Sequence, residues 1–392
     1  MNAPDSRLHY MDNLRALAML AGVAFHAGLA YSILMRPYWP TADVNPSRIV
    51  DVVAWFSHLF RMPLFFLVGG FFAAMLVQER GVGGMLGNRL ARILLPFVLF
   101  WPILHLAMGW LITTAMTHLD TLPPLLMVVK KWMSGPNAPA APPTLMHLWF
   151  LPYLMCFCIL VWVVKALEIR WPSRADALLR PAVLSAGWPL LLMAPLFAVP
   201  APMPAPESFF PQWWALMFFG LYFALGYRLF HAPALLDKLA PAAPWLLAAA
   251  LLAYAVFFEL LSLKSPPPST PWLQLVKAAL QAFIGVWMTL CCLVYGKRWL
   301  NRGNRVLRYV AESSYWVYII HLPVLFAVQF LVLPVQAHWT LKFLLSLSAT
   351  LFIALVSYQV LVRHTVVGRL LNGRRGRERD AGEVGHGAVV QR

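Results

Sequence analysis

Apolar runs of about 20 residues, the length an α-helix needs to cross the hydrocarbon of a bilayer, recur about ten times along this chain. They lie roughly at 13–34, 50–77, 90–115, 146–167, 183–200, 211–231, 243–263, 272–295, 313–334 and 341–363, the fifth having the least defined ends. Inside hydrocarbon every backbone N–H and C=O must be paired within the chain, which for segments of this length selects helices. Hydrophobic residues make up 61% of the 392 residues and charged residues 12%, more apolar surface than a water-soluble core could hide. The expected fold is all-α, a polytopic transmembrane bundle of about ten spans. Pro-rich connections at Asn137–Pro143, Pro200–Pro206 and Pro266–Pro268 cannot continue a helix and separate several of the runs.

Charge sets the expected orientation. Lys and Arg number 31 against 15 Asp and Glu, and the cations fall between apolar runs, not in a polar domain, so membrane topology explains them and no nucleic-acid partner is expected. Connections after the even-numbered runs hold Arg80, Arg89 and Arg92; Lys165, Arg170, Arg174 and Arg180; Arg228 and Lys238; and Lys297, Arg298, Arg302, Arg305 and Arg308. Those after the odd-numbered runs are sparse: Arg36 and Arg48, Lys130 and Lys131, Lys264, and Lys342. The positive-inside rule then puts both termini in the cytoplasm. The expected organisation is a short cytoplasmic N-terminus (1–12), a membrane domain (13–365) and a basic, disordered cytoplasmic tail (366–392) carrying Arg369, Arg374, Arg375, Arg377 and Arg379.

Arg7, the apolar stretch Leu17 to Phe25 and Gly28-Leu29-Ala30 imitate a secretory signal, but Asp12 and His26 interrupt the pattern and many spans follow, so no cleavage is expected. Cys156 and Cys158 share one apolar run and Cys291 and Cys292 another, without zinc-site spacing, so no metal is expected. No inverted repeat relates the two halves, which argues against a repeat-built transporter.

Ionisable side chains within spans are costly and therefore mark function by default. His26 lies inside the first apolar run, which opens on Asp12-x-x-Arg15. At about 100° per residue, Arg15, Ala18, Gly22 and His26 form one stripe, and the rise puts His26 roughly 16 Å from Arg15. That arrangement offers a charged cytoplasmic mouth, a small-residue furrow and an imidazole toward the far side. The structural alternative is an Asp12–Arg15 interfacial pair and a packing histidine. Arg61, mid-span, needs an acceptor or a wet cavity. His147 sits at the outer end of the fourth run, where it could equally be an interfacial anchor beside Trp149. Tyr318 and His321 share a helical face and can act on one cavity. Glu259 is expected to be a structural partner. Arg89 and Arg92, three apart before Pro96, can grip phosphates on one face, although the positive-inside rule alone would also place arginines there.

Several short motifs occur together and in order. They are Tyr10-Met-Asp12-Asn-Leu-Arg15-Ala, Phe25-His26, Phe60-Arg61-Met-Pro-Leu-Phe-Phe with Gly69-Gly70, Arg89-x-x-Arg92 with Pro96, His147-Leu-Trp-Phe-Leu, and Ser314-Tyr-x-x-Tyr318-x-x-His321-x-Pro323. From Arg7 to about residue 365 the chain resembles the integral-membrane acyltransferase 3 family, and within it a branch linked to succinylation of periplasmic glucans. It departs from relatives at Gly69-Gly70, where Ser-Gly is frequent, and at Arg61, where another polar residue is frequent.

The resemblance implies an enzyme of the bacterial inner membrane that moves an acyl group from cytoplasmic acyl-CoA, succinyl-CoA or acetyl-CoA, to a hydroxyl of a periplasmic or envelope glycan. It carries catalysis to His26 with Asp12 and Arg15, and CoA phosphate contact to Arg89 and Arg92. The remaining intramembrane groups, Arg61, His147, Tyr318 and His321, are expected to contact the acceptor or the oxyanion. Arg61 would also suit the extra carboxylate of a succinyl donor. Expected partners are membrane lipid, acyl-CoA and the glycan. A transporter or flippase for a glycan, lipid or organic anion is the competing expectation, and CoA binding distinguishes the two.

Overall fold

The computed structural model describes residues 9–135, 143–169, 177–262 and 270–372. Arg7, most of the 137–143 connection, Arg170, Arg174, Lys264, Pro266–Pro268 and the tail from residue 373 lie outside the described residues. Among those described, the regular structure is entirely helical. In chain order it comprises α1 (His9–Leu29), α2 (Arg48–Arg89), α3 (Leu95–His118), α4 (Pro124–Met133), α5 (Phe150–Ala166), α6 (Trp188–Phe197), α7 (Trp213–Phe230), α8 (Leu235–Leu239), α9 (Ala243–Ser262), α10 (Pro271–Trp299), α11 (Arg305–Val332), α12 (Trp339–Ser357) and α13 (Val366–Asn372). The final helix, α13, ends at Asn372, and its Leu371 is buried in the main core.

Seven helical runs among the described residues are long and apolar enough to cross a membrane: Arg48–His118, Met146–Ala166, Trp213–Phe230, Ala243–Ser262, Pro271–Trp299, Arg305–Val332 and Trp339–Val362. The first of these, at 71 residues, is several times longer than the roughly 20 residues one crossing requires. It is broken at Gly81, whose φ of 69° and ψ of 174° lie in a region essentially reserved for glycine. The α1 helix is less apolar because it carries Asp12, Arg15 and His26, and Val183–Phe197 is shorter than the others.

The most extensive helix pairing joins α2 to α7, and glycine makes it possible. A Cβ on Gly70 would sit 1.9 Å from the carbonyl oxygen of Phe223, and one on Gly226 would sit 1.8 Å from that of Leu67. Small residues let membrane helices approach until their backbones touch. The Gly69-Gly70 motif is therefore a packing device, not a site residue. Gly70→Ala or Gly226→Ala should force the helices apart and cost about 3 kcal/mol or more, seen as loss of the monodisperse folded peak and a lower melting temperature in detergent.

Three connections gather at the end of the bundle where α1 finishes. The loop from Ala30 to Ser47 is pinned by buried polar contacts: Lys342 Nζ to Asp43 at 2.7 Å, Thr41 Oγ1 to Gln329 at 2.6 Å, and Ser32 Oγ to Asp51. Gln329 also donates to the carbonyl of Ala27 at 3.0 Å. Lys342 and Asp43 are each 2% exposed, so removing either partner would strand a buried charge. The loop from Ala198 to Gln212 is held where Met203 N donates to Gln281 and Gln212 N donates to the Tyr153 hydroxyl, at 2.8 and 2.7 Å. Leu145 N donates to the carbonyl of Glu207 at 2.7 Å, tying in the third connection. At this end Arg48 pairs with Glu259 at 2.7 Å.

At the opposite end Asn13 Nδ2 donates to the carbonyl of Leu300 at 2.7 Å and Lys297 pairs with Asp237 at 2.7 Å. Thus α1 carries Asp12 and Arg15 at one end of the bundle and His26 at the other.

Candidate active site

Around His26 the fold assembles four further side chains from α2, α11 and the turn before α5. The His26 ring lies 5.3 Å from that of His321, and the His321 ring 5.0 Å from that of His147, centroid to centroid. Two more polar groups lie against Phe25: His58 stacks on it at 5.5 Å, and the Arg61 guanidinium lies over it at 4.1 Å. Gly22 lies alongside Arg61, whose Cδ and Nε are 4.0 Å from where a Cβ on the glycine would stand, an ordinary contact distance. The small-residue furrow is thus partly filled by Arg61.

Proline helps to build the site. Pro323 has no N–H, so the carbonyl four residues earlier, that of Ile319, loses its helical partner. His147 Nε2 takes that place at 2.9 Å. The Tyr318 hydroxyl donates to the carbonyl of His147 at 2.7 Å, clamping the same turn from the other side. That turn, Met146–Trp149, starts with a non-glycine residue at positive φ, Met146 at 50°.

These bonds fix protons. A neutral imidazole has one N–H, and a nitrogen facing a carbonyl must carry it. His147 is therefore protonated on Nε2, bonded to Ile319. His58 is protonated on Nε2, bonded to the carbonyl of Met203 at 2.8 Å. His321 is protonated on Nδ1, bonded to the carbonyl of Tyr318 at 2.8 Å. The other nitrogen of each ring is a buried lone pair without a partner, and Nδ1 of His26 is likewise buried and unmet. Two buried donors are also unmet nearby, Arg61 Nη1 and the Trp39 indole N–H. Trp39, from the pinned Ala30–Ser47 loop, stacks on His26 at 5.8 Å with its ring 18° from parallel. Arg61 is 6% exposed and has no carboxylate partner among the described residues.

The other expected site residues form a second cluster at the far end of α1. Asp12 and Arg15 pair at 3.3 Å, and Arg15 lies over Phe72 and reaches the carbonyl of Ala311 at 3.5 Å. Asp12 is fourteen residues from His26 on one helix, about 21 Å along the axis, so the structure does not bring it to the imidazole. Arg89 turns inward beside the Cys158 thiol, within electrostatic range of Arg15 and Arg92. Residues Leu90–Leu94 form a π turn, where the Leu95 N–H reaches back to the Leu90 carbonyl, and Pro96 follows with no N–H to continue a tighter ladder. Arg92 lies within electrostatic range of Arg80 as well as of Arg89.

Sequence reasoning thus identified His26, Arg61, His147, Tyr318 and His321, which converge, and Arg15, Arg89 and Arg92, which cluster elsewhere. It missed His58 and Trp39. His58 had a signal, since it stands one helical turn before Arg61. Trp39 had none, because a loop places it. Among the described residues no group of three or more His, Cys, Asp or Glu could hold a metal ion.

The sequence model of the acyltransferase 3 family, described as an acyltransferase domain, matches residues 8–359. The chain belongs to that family. It is an acyltransferase and a multi-pass membrane protein, and both clusters fall within the matched region. Curated relatives include the glucans biosynthesis protein C of Escherichia coli O157:H7 strain EC4115 and that of Escherichia coli O9:H4 strain HS. Each is 25% identical over 385 residues, covering 95% of this chain and 96% of the relative. No solved structure matches.

Proposed function

We propose that this protein is an O-acyltransferase of the bacterial inner membrane, with both termini cytoplasmic. It takes an acyl group from cytoplasmic acyl-CoA and transfers it to a hydroxyl of a periplasmic glycan at His26. The observation that carries this reading is the position of an imidazole with an unmet nitrogen at one end of α1 and of three arginines, Arg15, Arg89 and Arg92, at the other. An extended pantetheine arm suits that separation: phosphates rest on the arginines while the thioester reaches the histidine. The name of the Escherichia coli relatives supports a glucan acceptor. The uneven distribution of Lys and Arg supports the orientation.

In the reaction His26 accepts the proton of the acceptor hydroxyl as its oxygen attacks the thioester carbonyl. The oxyanion is met by the Trp39 indole N–H. As the C–S bond breaks, His26 returns the proton to the departing CoA sulfur, leaving ester and free CoA. His147 and Tyr318 hold the Met146–Trp149 turn in place, because their own donors are committed to carbonyls. Asp12 orients Arg15 at the CoA end. Arg61, a buried cation lacking an anion, favours a donor that brings its own carboxylate, which selects succinyl over acetyl.

CoA binding tests the donor directly. Arg89→Ala combined with Arg92→Ala should weaken CoA binding to detergent-purified protein by about tenfold or more, the loss of one or two charge-assisted contacts. Unchanged binding would refute the donor site. Mass spectrometry of the periplasmic glycans with and without the protein identifies both acceptor and acyl group.

A further inference from the structure

The two buried, partnerless nitrogens closest to the proposed chemistry are Nδ1 of His26 and Nε2 of His321, on rings 5.3 Å apart between α1 and α11. His321 has its single N–H committed to the carbonyl of Tyr318 at 2.8 Å. Its Nε2 is therefore an acceptor, and as a neutral ring it cannot give an oxyanion a hydrogen bond. Polar atoms are not left unmet in a low-dielectric interior without reason, and catalytic hydrogen bonds commonly tighten only when substrate arrives. The remaining polar groups around the pair are the Trp39 indole N–H stacked on His26, His147 from the turn before α5, also an acceptor on its free side, and Arg61 and His58 from α2.

We infer that His321 is the positioning partner of His26: its Nε2 accepts the Nδ1–H of His26 and so holds His26 with Nε2 as the base. The pair does with two imidazoles what a carboxylate does when it orients a catalytic histidine. Only His26 changes protonation. The acceptor hydroxyl gives its proton to His26 Nε2 as the new C–O bond forms, Nδ1–H stays bonded to His321, and the Nε2 proton leaves on the CoA sulfur as the C–S bond breaks. A neutral partner stabilises the transient imidazolium less than a carboxylate would. It also places no anion in the apolar interior, where burial of one is costly.

This inference rests on His26 being the base, and two amide substitutions separate the positioning role from that reading. His321→Asn keeps an amide N–H near the Nδ1 position, able to bond the Tyr318 carbonyl, and removes the acceptor facing His26. His321→Gln extends an amide oxygen to the Nε2 position and restores that acceptor. With acyl-CoA as donor and purified glycan as acceptor, His321→Asn should lower kcat by about 10²–10⁴-fold with KM for both substrates nearly unchanged. His321→Gln should recover kcat to within about tenfold of the parent, because its amide oxygen again accepts the Nδ1–H and restores the tautomer with Nε2 as base. Equal activity of the two variants, or a loss in KM alone, would overturn the positioning role. If His26→Ala itself keeps full activity, the reading of His26 as base fails instead.

Discussion

Replacing His26 with alanine is expected to lower kcat by about 10²–10⁴-fold, the contribution of one positioned general base, while CoA binding stays within a few-fold of the parent. The separation follows from α1: CoA phosphates are proposed to bind at Arg15, Arg89 and Arg92, roughly 16 Å away along the axis, so the substitution removes the base and leaves the donor site. Folding should survive. The one bond inferred through the buried Nδ1 of His26 goes to His321, and the rings around it are held by their own contacts, His147 to Ile319, His321 to Tyr318, and the Trp39 loop by Asp43, Thr41 and Ser32. The measurement is steady-state turnover beside CoA affinity. Turnover near the parent's would remove His26 from the chemistry. A labelled acyl group retained on the protein without acceptor, and lost in His26→Ala, would instead show that the histidine carries the acyl group covalently.

Arg61→Met should show an opposite pair of effects on stability and activity. The guanidinium is buried against Phe25 with Nη1 unmet and no carboxylate partner among the described residues. A lone buried cation destabilises a fold, so methionine, of similar length and apolar, should leave the melting temperature unchanged or raise it. Activity should fall with a succinyl donor, because truncating one side of a buried charge pair costs about 2–5 kcal/mol, or about 30- to 5,000-fold in kcat/KM. With acetyl-CoA, which brings no carboxylate, the loss should be small. Equal loss with both donors would place Arg61 at the oxyanion and withdraw the argument for succinyl. A site that is less stable than the fold could make it, in return for binding an anion, is the usual stability–activity compromise.

Most of the membrane architecture was legible in the sequence because hydrocarbon imposes a single local rule. Length, apolarity and Pro-rich boundaries are properties of each segment alone, and the helices lie close to where those signals put them. Gly81 shows the limit: the helical run continues through it by hydrogen bonding, and only its backbone angles show that Arg48–His118 is broken there. The sites divide in the same way. His26, Arg61 and His321 stood out because an ionisable group in an apolar run is conspicuous in one dimension. That they meet while Asp12 stays behind depends on which faces of α1, α2 and α11 pack together. Trp39 reached His26 through a loop fixed by partners some 300 residues away in the chain, as in the 299-residue separation of Lys342 and Asp43.

By itself, then, the sequence determined that this chain is a helical membrane protein with costly polar groups at particular depths, since burial of an apolar helix and the cost of a buried charge are local quantities. Tertiary structure decided which of those groups share a site and which nitrogen of each histidine carries its proton. Both depend on a specific carbonyl or ring from a distant helix, as when Pro323 frees the Ile319 carbonyl for His147, and no spacing along the chain encodes that contact.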